Sequence, residues 1–117
     1  MATDKDLQDQ VDYIADMLSN ADKYAAMRRE DMGDDFDENE HTGAYDWLSD
    51  VLDIQYIVNG NGDFISAKVL VAFGGPNIWV DFQDKTVRGY WWQNRANATF
   101  DDDMDIEGAL AEMWSVR

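Results

Sequence analysis

The chain has 117 residues, of which 45% are hydrophobic and 13% aromatic, and its formal net charge is −16 at pH 7. This length predicts a single domain over residues 1–117, and the apolar content argues against disorder because burying it offsets the entropy of the chain. The absence of cysteine excludes disulfides, thiolate nucleophiles and Cys-ligated zinc. The negative charge argues against direct binding to nucleic acid or to an anionic membrane, whose phosphates it repels.

The acidic residues are concentrated at the two ends of the chain. Residues 1–50 hold 15 acidic and 4 basic side chains, residues 51–100 hold 4 of each, and residues 101–117 hold 6 acidic and 1 basic. Self-repulsion destabilises a compact state, so we expect the protein to use this field on a positively charged partner. No basic and apolar leader segment opens the chain, and its longest apolar run, Val69–Phe73, is too short to span a bilayer. We therefore expect a cytoplasmic protein that does not enter a membrane.

The N-terminal segment has the pattern of a long amphipathic helix from about residue 4 to about Met32, with Thr3 or Asp4 as its N-cap. Apolar residues recur at spacings of three and four: Leu7, Val11, Ile14, Leu18, Ala21 and Ala25. At 100° per residue, Asp9, Asp12 and Asp16 fall on the opposite side of this helix.

An acidic segment follows the long helix. Seven of the eleven residues from Glu30 to Glu40 are acidic, which predicts an exposed, mobile loop at about residues 30–42. A short second helix is then predicted from Thr42 to Leu52.

The middle of the chain changes to the period of strands. Four strands are predicted, over 54–58, 64–73, 77–82 and 87–92, with a hairpin turn at Asn59–Gly62. Short connections indicate an antiparallel meander, and a last helix is predicted from Asp101 through Trp114. The fold class is therefore α+β, with a four-stranded sheet packed by the long N-terminal helix, the short second helix and the C-terminal helix.

Three motifs with possible chemistry are better explained by structure. Asp101-x-Asp103-x-Asp105 resembles the start of a calcium loop but has Ile106 where that loop needs glycine, so a capped helix start is favoured. Asp35-x-Asp37-x-Asn39 fails at the same position, and Gly74-Gly75-Pro76 lacks the residues of a phosphate loop. The single histidine, His41, has no nucleophile or second ligand near it in sequence. We predict no catalytic residue, no cofactor and no metal site.

Aromatic residues crowd the last two predicted strands. Trp79, Tyr90 and Trp92 are expected on one face of the sheet if the hairpin register is regular. Packing beneath the long helix is one interpretation; a protein-binding patch anchored by Trp79 and Trp92 is the other. Stacking of nucleic-acid bases is disfavoured because only Arg88 and Arg95 are near.

The acidic array is the main candidate for a binding surface. On a helix, Asp9, Asp12 and Asp16 are spaced about 4.5 and 6 Å along the axis, and a row of carboxylates on a rigid helix can coarsely imitate DNA phosphates, which are spaced about 3.4 Å per strand. A solvated face kept acidic for solubility is the alternative, and it stays open. The residues predicted to bind a partner are Asp9, Asp12, Asp16, Asp34, Asp35, Asp37, Glu38, Asp101, Asp102 and Asp103.

Two stretches also resemble known proteins. Gly74–Asp81 and Gly89–Trp92 are similar to segments of small proteins carried by phages, prophages and conjugative elements. In charge and size the chain resembles the acidic antirestriction and anti-CRISPR inhibitors of mobile elements, several of which mimic DNA. This resemblance implies a cytoplasmic inhibitor in the host cell that occupies the nucleic-acid groove of a basic defence nuclease.

Two other function classes remain open. An immunity or antitoxin protein that covers the active site of a basic toxin would rely on the aromatic anchors instead of the carboxylates. An enzyme would need a nucleophile or metal beside a carboxylate pair such as Asp81 and Asp84, and the sequence offers neither. The sequence leaves open whether the protein is a homodimer.

Overall fold

The computed structural model describes residues 4–117, so the predicted N-cap Thr3 lies outside the described residues. The helices are α1 (Asp4–Ser19), α2 (Ala21–Met32), α3 (Gly43–Leu48) and α4 (Ile106–Ser115), with a 3₁₀ helix at Gly33–Asp35. The strands are β1 (Asp53–Val58), β2 (Phe64–Ala72), β3 (Asn77–Asp81), β4 (Thr86–Trp91) and β5 (Asn94–Thr99).

The five strands form one antiparallel sheet in the order β1-β2-β3-β4-β5. The α+β class and the antiparallel meander are confirmed, but the predicted count of four strands is wrong. The missed strand, β5, pairs with β4 over its whole length, from Thr86↔Thr99 to Trp91↔Asn94. Its composition, Asn-Arg-Ala-Asn-Ala-Thr, has few residues that favour strands, so it carries little local signal.

The core lies between one face of the sheet and the helices. Helix α1 crosses β4 and β5, and α4 packs on β2. Leu7 and Val11 of α1 are 0% exposed, as are Val80 and Val87 of the sheet. The small side chains Ala96 and Ala98 of β5 let α1 approach the sheet closely, since bulky residues there would hold the helix away.

The predicted long helix is interrupted at Asn20. This residue is extended (φ −146°, ψ 95°), and its side chain accepts a hydrogen bond from Lys23 N at 3.1 Å, which caps α2. Asp103 also stabilises the break, because its amide donates to Leu18 O at 3.1 Å and its carboxylate accepts from Ala21 N at 2.7 Å. The helical pattern through Ala21 and Ala25 is present, but the backbone amide of Asp103 satisfies a carbonyl at the end of α1, and its carboxylate satisfies an amide at the start of α2.

Local hydrogen bonds connect residues of the acidic segment at 30–42. Helix α2 continues to Met32, and the 3₁₀ helix follows directly. His41, half-buried, accepts a hydrogen bond from Asp37 N on its Nδ1 at 2.8 Å, and its own amide donates to Asp37 O at 2.8 Å. Thr42 Oγ1 donates to Glu38 O at 2.7 Å. His41 therefore organises this segment.

The contact between α1 and β4 gives the first testable prediction. A Cβ placed on Gly89 would lie 2.8 Å from Val11 Cγ2 and 2.9 Å from Leu7 Cδ1, so Gly89→Ala should force α1 outward. We expect a loss of about 1–3 kcal/mol in the free energy of unfolding, measured by urea denaturation. Gly60→Ala is the control, because a Cβ there meets no atom within 4 Å. Equal stability of the two variants would contradict this packing.

Candidate functional site

The outer side of α1 carries a row of carboxylates. Asp9, Asp12 and Asp16 are all exposed, on the side of the helix opposite the buried Leu7 and Val11. Gln8 fixes part of this row to the sheet, because its Nε2 donates to Asp12 Oδ1 at 2.9 Å and to Asn97 O of β5 at 2.9 Å.

The segment at residues 101–103 docks at the end of this row. Asp101 N donates to Ser19 Oγ at 3.0 Å, and Asp103 N donates to Leu18 O at 3.1 Å. Two acidic segments that lie far apart in sequence are therefore adjacent. We call the four exposed carboxylates of this surface the helix ridge: Asp9, Asp12, Asp16 and Asp101.

The other two aspartates of this segment hold helix ends together. Asp102 accepts hydrogen bonds from Ile106 N and Glu107 N, both at 2.8 Å, at the start of α4, whose N-cap residue Asp105 accepts from Gly108 N at 3.2 Å. Asp103 accepts from Ala21 N at 2.7 Å and so caps α2. Their carboxylates are engaged within the fold, which makes them structural residues first. Capping at the start of the last helix was predicted from the sequence. The hydrogen bond from Ala21 N of α2 to the Asp103 carboxylate depends on tertiary structure.

The helix ridge is also partly neutralised. Lys23 Nζ lies 2.8 Å from Asp16 Oδ2, and both side chains are about half exposed. An exposed ion pair of this kind contributes about 0.2–1 kcal/mol and is screened by salt. A basic partner can therefore compete with Lys23 for Asp16 at little cost.

The remaining predicted carboxylates form a separate group. Asp34, Asp35, Asp37 and Glu38 are exposed and follow α2, whose 12 residues span about 18 Å from Ala21, near Asp103. Asp37 also accepts a hydrogen bond from Asn39 N at 2.9 Å. We call these four residues the loop cluster. The ten predicted residues thus divide into the helix ridge, the loop cluster and two capping aspartates.

A buried polar network joins α2 to α3. Tyr24 Oη donates to Asp46 Oδ2 at 2.6 Å. Arg28 donates to the same carboxylate, from Nε to Oδ2 at 2.9 Å and from Nη2 to Oδ1 at 3.2 Å. Burial, and then the hydrogen bond to Asp46, raise the pKa of Tyr24 well above its ordinary value. Sequence reasoning missed this network, although Tyr24 and Arg28 have the i, i+4 spacing of one helix face.

A crevice of about 290 Å³ lies against this network, beneath α2. Six apolar side chains from α1, α2, α3 and their neighbours line it: Ile14, Met17, Met27, Trp47, Val51 and Val71. Tyr13, Tyr24, Arg28, Asp31 and Asp50 supply its polar groups. We call it the α2 crevice.

The aromatic strand residues lie mostly on the sheet face that the helices do not cover. Trp79 and Tyr90 line one groove there together with Lys68 and Arg88, so the interpretation that they pack beneath the long helix is wrong. Arg95 lies over the Tyr90 ring at 5.9 Å. A surface of aromatic side chains with charges of both signs, Asp81 included, is thus opposite the acidic helical side.

Trp92 does not share this face, contrary to the regular register expected. It lies in the two-residue turn between β4 and β5 with φ 56°, and its side chain is 86% exposed. The neighbouring Trp91 packs against the core instead.

The carboxylate pair Asp81 and Asp84 is bound by one cation. Arg88 Nη1 lies 2.9 Å from Asp81 Oδ2, and its Nη2 lies 2.9 Å from Asp84 Oδ2. Both carboxylates, the buried Asp81 of β3 and the exposed Asp84 of the following turn, are thereby held in ion pairs. Among residues 4–117, no three His, Cys, Asp or Glu side chains come together as metal ligands.

Comparison with protein families, curated protein sequences and solved structures finds no match for this chain. Of the helices in the described part of the chain, none is both long and apolar enough to cross a membrane.

The buried network gives a prediction about stability. Asp46→Asn removes the charge that faces Arg28, and we expect the free energy of unfolding to fall by about 1.5–3 kcal/mol, measured by urea denaturation. The control is Asp50→Asn, an exposed carboxylate nearby, which should change stability by less than about 0.5 kcal/mol. Equal effects of the two changes would contradict the structural role of Asp46.

The same network gives a prediction about pH. Because the pKa of Tyr24 is raised in the folded state, the unfolded chain loses this proton first, and the stability from Tyr24 is present below the ordinary tyrosine pKa of about 10 and declines above it. Urea unfolding at about pH 9 and about pH 11 should therefore show a larger alkaline loss for the parent than for Tyr24→Phe. Equal losses would show that Tyr24 ionises normally in the fold.

Proposed function

We propose that this protein is a non-enzymatic acidic inhibitor that mimics nucleic-acid phosphates and blocks the DNA- or RNA-binding groove of a defence nuclease. The observation that supports the proposal is the helix ridge. It joins carboxylates from both acidic ends of the chain on one outer surface. A basic nuclease or other nucleic-acid-binding protein is the partner that this surface fits.

Rigidity of the ridge supports mimicry over a solvated face alone. Helix α1 is held to the sheet by fully buried side chains, including Leu7 and Leu18, so the backbone positions of its aspartates are fixed. The aspartates are spaced about 4.5 and 6 Å apart along the helix axis. They can therefore contact a row of lysines or arginines that normally binds phosphates. A preformed array does not need to be ordered when the partner binds.

The contributions of the ten predicted residues should differ. Asp9, Asp12 and Asp101 are exposed and lie outside the ion pairs described for the ridge, whereas Asp16 must first leave Lys23. Asp102 and Asp103 are capping residues, so their replacement would lower stability as well as charge. The loop cluster adds a second, separate patch of negative charge.

The test is competition with duplex DNA for a restriction or CRISPR nuclease that the protein inhibits. Replacing Asp9, Asp12 and Asp16 by Asn gives a triple variant that we call the ridge variant. It should inhibit about tenfold less well or worse, chiefly through slower association. Raising the ionic strength from about 0.1 M to about 1 M shortens the Debye length from about 10 to about 3 Å. We expect this change to weaken inhibition by the parent protein as well.

A matched control removes three charges elsewhere. Asp53→Asn, Asp63→Asn and Glu112→Gln change three exposed carboxylates and give the same net charge as the ridge variant. We expect the control triple variant to inhibit almost as well as the parent. Equal loss in both triple variants would indicate a general charge effect, and inhibition that does not depend on salt would contradict phosphate mimicry.

One observation favours a second candidate, an immunity or antitoxin protein for a basic toxin. Trp92 is a bulky side chain held at positive φ in a turn position where glycine is preferred, and it is almost fully exposed. Such a residue costs stability and contributes nothing to the core. A binding role as an aromatic anchor, together with Trp79 on the open sheet face, would account for it.

Trp92→Gly separates the two candidates. Because glycine adopts positive φ without strain, we expect unchanged or slightly higher stability, by up to about 1 kcal/mol in urea denaturation. Under phosphate mimicry, inhibition of the nuclease should be nearly unchanged by this variant. Loss of partner binding in Trp92→Gly and Trp79→Ala, with little effect of the ridge variant, would favour the immunity protein.

A further inference from the structure

The α2 crevice is the one apolar concavity of the acidic helical side for which the described residues suggest an occupant. Its walls are two methionines and an indole, Met17, Met27 and Trp47, together with branched aliphatic side chains of α1, β2 and the segment after α3. Methionine is flexible and polarisable, so these walls can adapt to a narrow chain of methylene groups. The interior of the crevice therefore favours an unbranched aliphatic ligand.

The charges around the crevice are not balanced. Arg28, its one cation, is bound to Asp46 by two hydrogen bonds, at 2.9 and 3.2 Å. Asp31 and Asp50 are exposed, and neither has a Lys, Arg or His nitrogen within 4 Å among residues 4–117. The polar groups of the crevice thus include two exposed carboxylates outside the ion pairs, of which Asp50 also attracts Arg28 at longer range.

We propose that the α2 crevice binds a lysine side chain of the partner, with the methylene stem against Met17, Met27 and Trp47 and the ammonium group at Asp31 and Asp50. Lysine combines a four-carbon apolar stem with a charged end that stays close to water, which fits apolar walls with an acidic edge. Trp47 and Tyr13 also line the crevice, and aromatic rings attract cations.

The size of the crevice is compatible with a single side chain. The volume of about 290 Å³ lies at the lower limit of pockets that hold small-molecule ligands, about 300–1,000 Å³. This inference rests on the proposed function, because it names one group of the basic partner. It adds a specific contact to the electrostatic attraction of the helix ridge.

The first experiment uses n-butylammonium, which has the stem and charge of a lysine side chain. It is added at constant ionic strength, and the methyl signals of Met17 and Met27 are followed by NMR. We expect saturable shifts at these methyls, weaker binding of n-butanol and still weaker binding of n-butyrate. The absence of saturable shifts, or equal affinity for the ammonium and the alcohol, would overturn the inference.

Variants locate the bound cation. Asp31→Asn with Asp50→Asn should weaken n-butylammonium binding by about fivefold, while the matched pair Asp53→Asn with Asp63→Asn should leave it unchanged. Both pairs change exposed carboxylates only, so circular dichroism should confirm that they fold. Met27→Trp fills the crevice and should abolish the shift of Met17. Undiminished affinity of the double variant Asp31→Asn with Asp50→Asn for n-butylammonium would overturn the proposed position of the ammonium group.

Inhibition assays distinguish failure of this inference from failure of the proposed function. If the ridge variant loses inhibition and the double variant Asp31→Asn with Asp50→Asn does not, the crevice inference is wrong and the proposed function stands. If the crevice binds n-butylammonium but the ridge variant inhibits normally, the crevice is a cation site and phosphate mimicry is wrong.

Discussion

Packing of α1 on β4 and β5 is the contact on which the rest of this structure depends. Leu7 and Val11 press against the backbone at Gly89, where a single added carbon would clash. Because one side of the helix is fixed in this way, its aspartates must face solvent. The same contact leaves the far face of the sheet uncovered and brings Leu18 and Ser19 to the position where residues 101–103 dock.

The high negative charge is compatible with this fold because several carboxylates perform structural work. Asp102 and Asp103 accept backbone hydrogen bonds at helix starts, where the positive end of the helix dipole favours an anion. Asp46 is held by Arg28 and Tyr24, and Asp81 by Arg88. The acids of the helix ridge and the loop cluster are exposed, so they remain solvated and available to a basic protein.

The two sides of the molecule consequently differ in chemistry. The helical side has the helix ridge and the α2 crevice, one supplying negative charge and the other an apolar space with acidic groups at Asp31 and Asp50. The open sheet face has Trp79 and Tyr90 beside basic side chains. A partner that approaches for electrostatic reasons meets the first side, whereas one that binds through aromatic anchors meets the second.

The sequence by itself determined the elements with strong local patterns: the buried stripe of α1, the outward row of Asp9, Asp12 and Asp16, the alternating strands and the α+β class. Only tertiary structure decided the features whose energy comes from distant residues. Strand β5 exists because β4 and α1 accept its small side chains, and the helix break at Asn20, which caps α2 locally, is completed by Asp103, whose carboxylate accepts from Ala21 N. Periodicity reports which side of an element is apolar, but the partner that satisfies a chain end or completes a crevice is set by contacts between segments far apart in sequence.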